Sequence, residues 1–191
     1  MKKNAITLGK IGILLPIASI IPYLGSLSGL ASTVLLIISY NYFSQYYKES
    51  KIFNNYLTGF LVAIGSGLIG MFMFMFFLGA TFRDIIFRTT DFKNLLDLFA
   101  YSWAKIVASL AVIYVGYIIS KYFQYLAKKE LALRTQVKEF STSGLLNFIG
   151  SIAIILAGLG LIVMFVGWIF EIVAYFNVKE ENQDEINQYS N

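Results

Sequence analysis

Residues 52–82 read IFNNYLTGFLVAIGSGLIGMFMFMFFLGATF, and none of them is charged. A hydrocarbon core about 30 Å thick takes roughly 20 apolar helical residues to cross, so this run is long enough to span one. In lipid the backbone must satisfy its own hydrogen bonds, which selects a helix. Three further runs are almost free of charge: residues 11–47, residues 98–120 with Lys105 inside them, and residues 140–170. The four runs predict an all-α integral membrane bundle, a single domain over residues 1–178. A polar tail at 179–191 follows, with a composition that predicts disorder.

Composition removes many alternatives. Hydrophobic residues make up 58% of the chain and charged residues 14%, against roughly 25% charged in soluble domains. The chain has no cysteine and no histidine, so Ser-His and Cys-His nucleophile pairs, HExxH zinc sites and histidine proton relays are excluded. No catalytic, cofactor-binding or metal-binding residue is assigned, and the expectation is a protein that is not an enzyme. The net charge of +4 comes from basic residues that flank apolar runs. That pattern fits orientation in a membrane and gives no face for nucleic acid.

A single helix over residues 11–47 would be roughly 55 Å long at 1.5 Å per residue, too long for one crossing. Pro22-Tyr23-Leu24-Gly25 is a turn signal between two apolar halves. The reading is therefore a tight hairpin of helices at about 6–21 and 26–46, with Pro16 kinking the first. A signal-peptide cleavage after Gly29-Leu30-Ala31 would split the second helix, so the expectation is that the segment is retained. Spans at about 55–80, 99–121 and 143–176 complete five helices. Residues 121–140 read as an amphipathic helix continuing from the fourth span, with Tyr122, Leu126, Leu133, Val137 and Phe140 approximating a stripe. With the hairpin, lysines and arginines divide ten to five between the two sides. The positive-inside rule then places the amino terminus and residues 121–139 in the cytoplasm and the tail outside the cell.

In the last span Ser143, Asn147, Gly150, Ala153, Ala157, Gly160, Met164, Gly167 and Glu171 follow steps of three or four. They line one face of a helix, and small residues there permit close helix contact. Leu145, Phe148, Ile152, Leu156, Ile162, Phe165 and Ile169 form the opposite surface, suited to lipid or bulky packing. The Met and Phe run at 71–77 also reads as lipid-facing or packing bulk. Gly65-Ser66-Gly67-Leu68-Ile69-Gly70 matches GxGxxG, but a dinucleotide site needs a strand before those glycines, and here they lie within an apolar helix.

Two ionisable residues sit inside apolar spans, Lys105 and Glu171. A charge at that depth needs a partner or an exit to the interface. In the five-helix topology both fall at similar depth beside Trp103 and Trp168. They are therefore candidates for an intramembrane ion pair, the alternative being that each side chain reaches the interface separately.

The segments Thr135-Gln136-Val137-Lys138-Glu139-Phe140-Ser141-Thr142-Ser143-Gly144 and Trp168-Ile169-Phe170-Glu171-Ile172-Val173-Ala174-Tyr175-Phe176, with Ile20-Ile21-Pro22-Tyr23-Leu24-Gly25 and Ile52-Phe53-Asn54-Asn55-Tyr56-Leu57, resemble an uncharacterised prokaryotic membrane family, domain of unknown function 996. The likeness covers most of residues 8–178. It implies an integral membrane protein of archaea or bacteria and supplies no activity, substrate or catalytic residue.

The leading functional expectation is a non-catalytic protein of the cell membrane, acting through helix packing or through contact with lipid, a membrane protein partner or a second copy in a homo-oligomer. The alternative is a small transporter or channel that uses Ser109, Asn147 and Glu171. An intramembrane hydrolase would need a base beside a nucleophile, a carboxylate pair or a metal cluster, and the spans offer none.

Overall fold

The computed structural model describes residues 1–21, 25–88, 92–156 and 158–179. Among these residues there are six α-helices and no strand: α1 (Lys2–Leu14), α2 (Gly25–Tyr47), α3 (Ser50–Arg88), α4 (Phe92–Thr135), α5 (Lys138–Ala153) and α6 (Leu159–Asn177). Four helical segments are long and apolar enough to cross a membrane, Leu27–Tyr47, Ser50–Ala80, Trp103–Thr135 and Leu159–Asn177. The membrane-bundle reading holds.

The chain forms two compact units. The first is Met1–Gly59 with the described residues of Lys121–Asn191, and the second is Phe60–Ser120. In the second unit α3 and α4 run antiparallel. A methyl group added at Gly116 would collide with Ser66, and one added at Gly70 would collide with Ile113. Of the GxGxxG glycines only Gly70 is thus in tight packing, since Gly65 and Gly67 face open space. Met71, Phe72, Met75 and Phe76 are exposed, as expected of lipid-facing residues.

The first unit is built on two helical hairpins. In the first, Ser39 Oγ donates to the Ala5 carbonyl at 2.7 Å and Gly12 faces Leu35 and Leu36, so α1 and α2 are antiparallel. The turn residues Pro22, Tyr23 and Leu24 lie outside the described residues. At Pro16 the chain leaves α1 for a 3-10 turn at Leu15–Ile20. A proline has no N–H to offer the carbonyls three and four residues back. Both find side-chain donors. Ser32 Oγ of α2 reaches the Gly12 carbonyl at 2.7 Å, and Trp168 Nε1 of α6 reaches the Ile13 carbonyl at 3.1 Å. The break in α1 is thereby tied to two other helices.

The second hairpin corrects the sequence reading. The span expected at 143–176 is not one helix, because α5 ends at Ala153 and α6 begins at Leu159. Gly158 turns the chain with φ 80°, a left-handed conformation that glycine adopts without a Cβ clash. A continuous helix there would be roughly 51 Å long at 1.5 Å per residue, the same excess that splits the first run. No proline or polar residue marks this turn, and small apolar residues hide it. Ala157 lies outside the described residues.

The hairpin moves the carboxyl end. Asn177 Nδ2, in the last turn of α6, donates to Glu139 Oε1, in the first turn of α5, at 2.9 Å. The end of α6 therefore lies beside the start of α5, where the five-helix reading placed it on the opposite side. Residues beyond Lys179 lie outside the described part. The helix expected to continue from the fourth span over 121–140 does so as far as Thr135, where residues 136–137 break it before α5, and Val137 and Phe140 of the stripe are buried. Its first part is the end of α4, in which Ala127, Leu131 and Ala132 are buried, whereas Tyr122 and Leu133 from the expected stripe are exposed. The core of this unit gathers Ile6, Tyr40, Phe43, Ile52, Leu131, Phe140 and Tyr175. Tyr175 stands edge-on to Phe140 at 5.1 Å between centroids, and Tyr40 stacks on Tyr56 at 3.9 Å.

Candidate functional site

Apart from Ala157, which lies outside the described residues, the residues that the sequence placed on one long face meet across the α5–α6 hairpin. The stripe folds back on itself at residues 154–158, so its two halves become the two sides of an interface. A methyl at Gly160 would collide with the backbone of Gly150, Ala153 and Ile154. One at Gly167 would press on Asn147 and Leu146, the nearest atoms lying 3.1 Å away. The residues were legible as a close-packing set. Their arrangement was not, because it depends on a turn without a polar signal.

At the open end of the hairpin the two sides bring Ser143 beside Glu171, and α4 adds the missing cation. Lys128 Nζ lies 2.6 Å from Glu171 Oε2 and 3.2 Å from Ser143 Oγ. Ser143 Oγ is 3.4 Å from the same carboxylate oxygen, and Asn147 Nδ2 donates to Ser143 Oγ at 3.5 Å. Lys128 is 3% exposed and Glu171 5%, so the pair is withdrawn from solvent and lipid alike. A buried ammonium and carboxylate are tolerated only when each has partners, and here a hydroxyl and an amide complete the set.

The expected pairing of Glu171 with Lys105 is therefore corrected: the carboxylate takes Lys128 instead. Lys105 belongs to the second unit, where its Nζ lies 5.8 Å from the centroid of the Phe77 ring. Trp168, expected in an interfacial belt with Trp103, is bonded to α1, while Trp103 is exposed. Lys128 was passed over because its position in a Lys-Lys-Glu run reads as a solvated face. Once residues 154–158 are read as a turn, Glu171 returns to the end of the bundle where Lys128 sits.

Further polar groups surround the pair. The Lys121 ammonium donates to Gln124 Oε1 at 3.2 Å and lies within electrostatic reach of Lys128 and Glu171. The Tyr175 hydroxyl meets Ser39 Oγ at 3.5 Å. Among the described residues, no group of three His, Cys, Asp or Glu side chains is placed to hold a metal ion.

The family model described as "Protein of unknown function (DUF996)" matches residues 28–169. The chain belongs to DUF996. The matched stretch of this DUF996 protein includes Lys128, Ser143 and Asn147 and stops two residues before Glu171. The chain is also similar to an uncharacterized protein of Methanocaldococcus jannaschii, with 30% identity over 183 residues that cover 96% of each chain. That likeness extends the kinship over nearly the whole DUF996 chain, beyond the family match at both ends. No solved structure matches it. The protein is thus a membrane protein of a family of unknown function, with a buried four-residue polar network as its most distinctive interior feature.

Proposed function

We propose that this DUF996 protein is a non-catalytic, multi-pass protein of the cell membrane. It acts through its folded surface, by contact with lipid, with another membrane protein or with a second copy. The Lys128–Glu171 pair carries this reading. Glu171 lies six residues before the end of α6, roughly 9 Å along the axis at 1.5 Å per residue. A pair at that depth, bonded to Ser143 and joining α4, α5 and α6, has the geometry of a staple. Transport remains the second reading, favoured by one observation: Lys121, Lys128 and Glu171 are ionisable groups inside apolar helices, the usual mark of an ion path.

Proteoliposomes loaded with a pH-sensitive dye separate the two. The staple reading expects the wild-type protein to pass protons no faster than protein-free vesicles under an imposed gradient. A flux that Glu171→Gln abolishes would overturn it in favour of transport.

We further propose that both described ends face the cytoplasm. Moving Lys179 to the side of the amino terminus changes the basic-residue split from ten against five to eleven against four, which strengthens the positive-inside signal. The chain has no cysteine of its own, so single cysteines report cleanly. Cysteines replacing Lys138 and Lys179 are expected to react with a membrane-impermeant maleimide only after the cells are opened. Reaction of either one in intact cells overturns this orientation.

A further inference from the structure

A cavity of about 440 Å³ opens at the polar end of the first unit, lined among others by Lys2, Arg134, Gln136, Val137 and Lys179. Its size falls within the roughly 300–1,000 Å³ of small-molecule sites. Its position is fixed by the helices around it. Three of the four candidate spans end on residues that line it, Tyr47, Thr135 and Asn177. The cavity therefore lies where these apolar spans end.

Among the described residues, three cations line the cavity, Lys2, Arg134 and Lys179, and no acid does. Arg134 is held from behind, its Nη2 2.6 Å from Glu49 Oε2 and its Nε 3.4 Å from Glu130 Oε1. Glu139 accepts from Asn177. These three described acids are thus turned onto Arg134 and Asn177, while Lys2 and Lys179 supply the remaining positive charge of the lining. Lys2 Nζ rests 5.4 Å from the centroid of the Tyr46 ring, a weak contact that a stronger anion can replace. Val137 stands at the start of α5 and offers no side-chain cap, although the Phe140 amide reaches the Val137 carbonyl at 3.4 Å. Ammonium groups and a helix start on one wall suit an oxyanion of phosphate type.

We propose that this cavity binds a phosphate-bearing anion at the membrane surface, the headgroup phosphate of an anionic lipid or free phosphate, through Lys2 and Lys179. The site lies apart from the Lys128–Glu171 network and does not depend on it. Failure of the staple reading and failure of this site are therefore read in separate experiments.

The test is a melting-temperature titration of the full-length protein in detergent free of anionic lipid. Three probes are used: dihexanoyl phosphatidylglycerol, dihexanoyl phosphatidylcholine and inorganic phosphate. A saturable rise with the anionic lipid is expected, exceeding that with phosphatidylcholine. Lys2→Gln with Lys179→Gln is expected to weaken the apparent affinity about fivefold or more, as the loss of two partly exposed charge contacts implies. Lys51→Gln with Lys129→Gln removes the same charge from exposed positions outside the lining and is expected to leave the affinity unchanged within about twofold. An equal, lysine-dependent rise with inorganic phosphate supports the site and assigns it to the free ion. No saturable rise with the anionic lipid or with phosphate, or an equal weakening in both double variants, overturns it.

Discussion

Glu171→Leu is expected to lower the free energy of unfolding by about 3 kcal/mol, measured by SDS-induced unfolding in mixed micelles, because it leaves a buried ammonium without its counter-charge. Lys128 is buried, and after the substitution Ser143 Oγ is its one remaining hydrogen-bond partner among the described residues. Lys128→Met alone strands the carboxylate in the same way and is expected to cost a similar amount. The double variant Lys128→Met with Glu171→Leu removes both charges. Because apolar replacement of a whole buried pair is often neutral or stabilising, it is expected to recover most of the loss. Ordinary polar contacts between membrane helices average about 0.6 kcal/mol and reach about 1.7 kcal/mol. A coupling energy above that ceiling marks the pair as a desolvated ionic contact. Single variants that unfold like the wild type would show that water or lipid headgroups already reach the pair, and the staple would be wrong.

Gly160→Ala is expected to be the next most damaging change, at about 3 kcal/mol, the upper part of the range for overpacking a tight interface. The added methyl would meet the backbone of α5 at Gly150, Ala153 and Ile154, and backbone has no rotamer to change. The two helices must separate, and the Ser143–Glu171 contact further along the hairpin opens with them. Nearby glycines give a graded comparison in the same assay. Gly150→Ala would press on the flexible Met164 side chain and on the Gly160 carbonyl at 2.8 Å, so a smaller loss is expected. Gly158→Ala would meet nothing within 4 Å and sits at φ 80°, so its cost is conformational alone, about 1 kcal/mol. If Gly158→Ala proves worse than Gly160→Ala, the close approach of α5 and α6 is not what holds this hairpin.

The charge-free runs made the membrane class and the approximate places of most helices legible. The first hairpin was legible because Pro22 and Gly25 interrupt an overlong apolar run. The second was missed because residues 154–158 offer only a glycine among aliphatic side chains, and helical periodicity continued across them without a break in phase. That single omission carried the end of α6 away from the start of α5, beside which it lies. It also carried Glu171 away from Lys128 and toward Lys105. The small residues of the stripe were nonetheless the right ones, because close packing demands small side chains whether the neighbouring helix comes from elsewhere or from the same segment folded back.

The tip of that hairpin bears on the lipid around it. Its backbone bonds close within the turn, from the Leu156 amide to the Ala153 carbonyl and from the Leu159 amide to the Leu156 carbonyl, both at 3.0 Å. Ile155, Leu156 and Leu159 point outward and are exposed. A turn whose described amides are bonded in this way and whose exterior is oily can end within the hydrocarbon. With 16 residues in α5 and 19 in α6, the arms reach roughly 24 and 28 Å at 1.5 Å per residue, so α6 just matches the roughly 30 Å core and leaves no excess length. In a thicker bilayer the tip would fall short of the far interface, and the distal leaflet would have to close over it or thin to meet it, a response that depends on acyl-chain length. The expected consequence is that this hairpin is held best in bilayers no thicker than its arms.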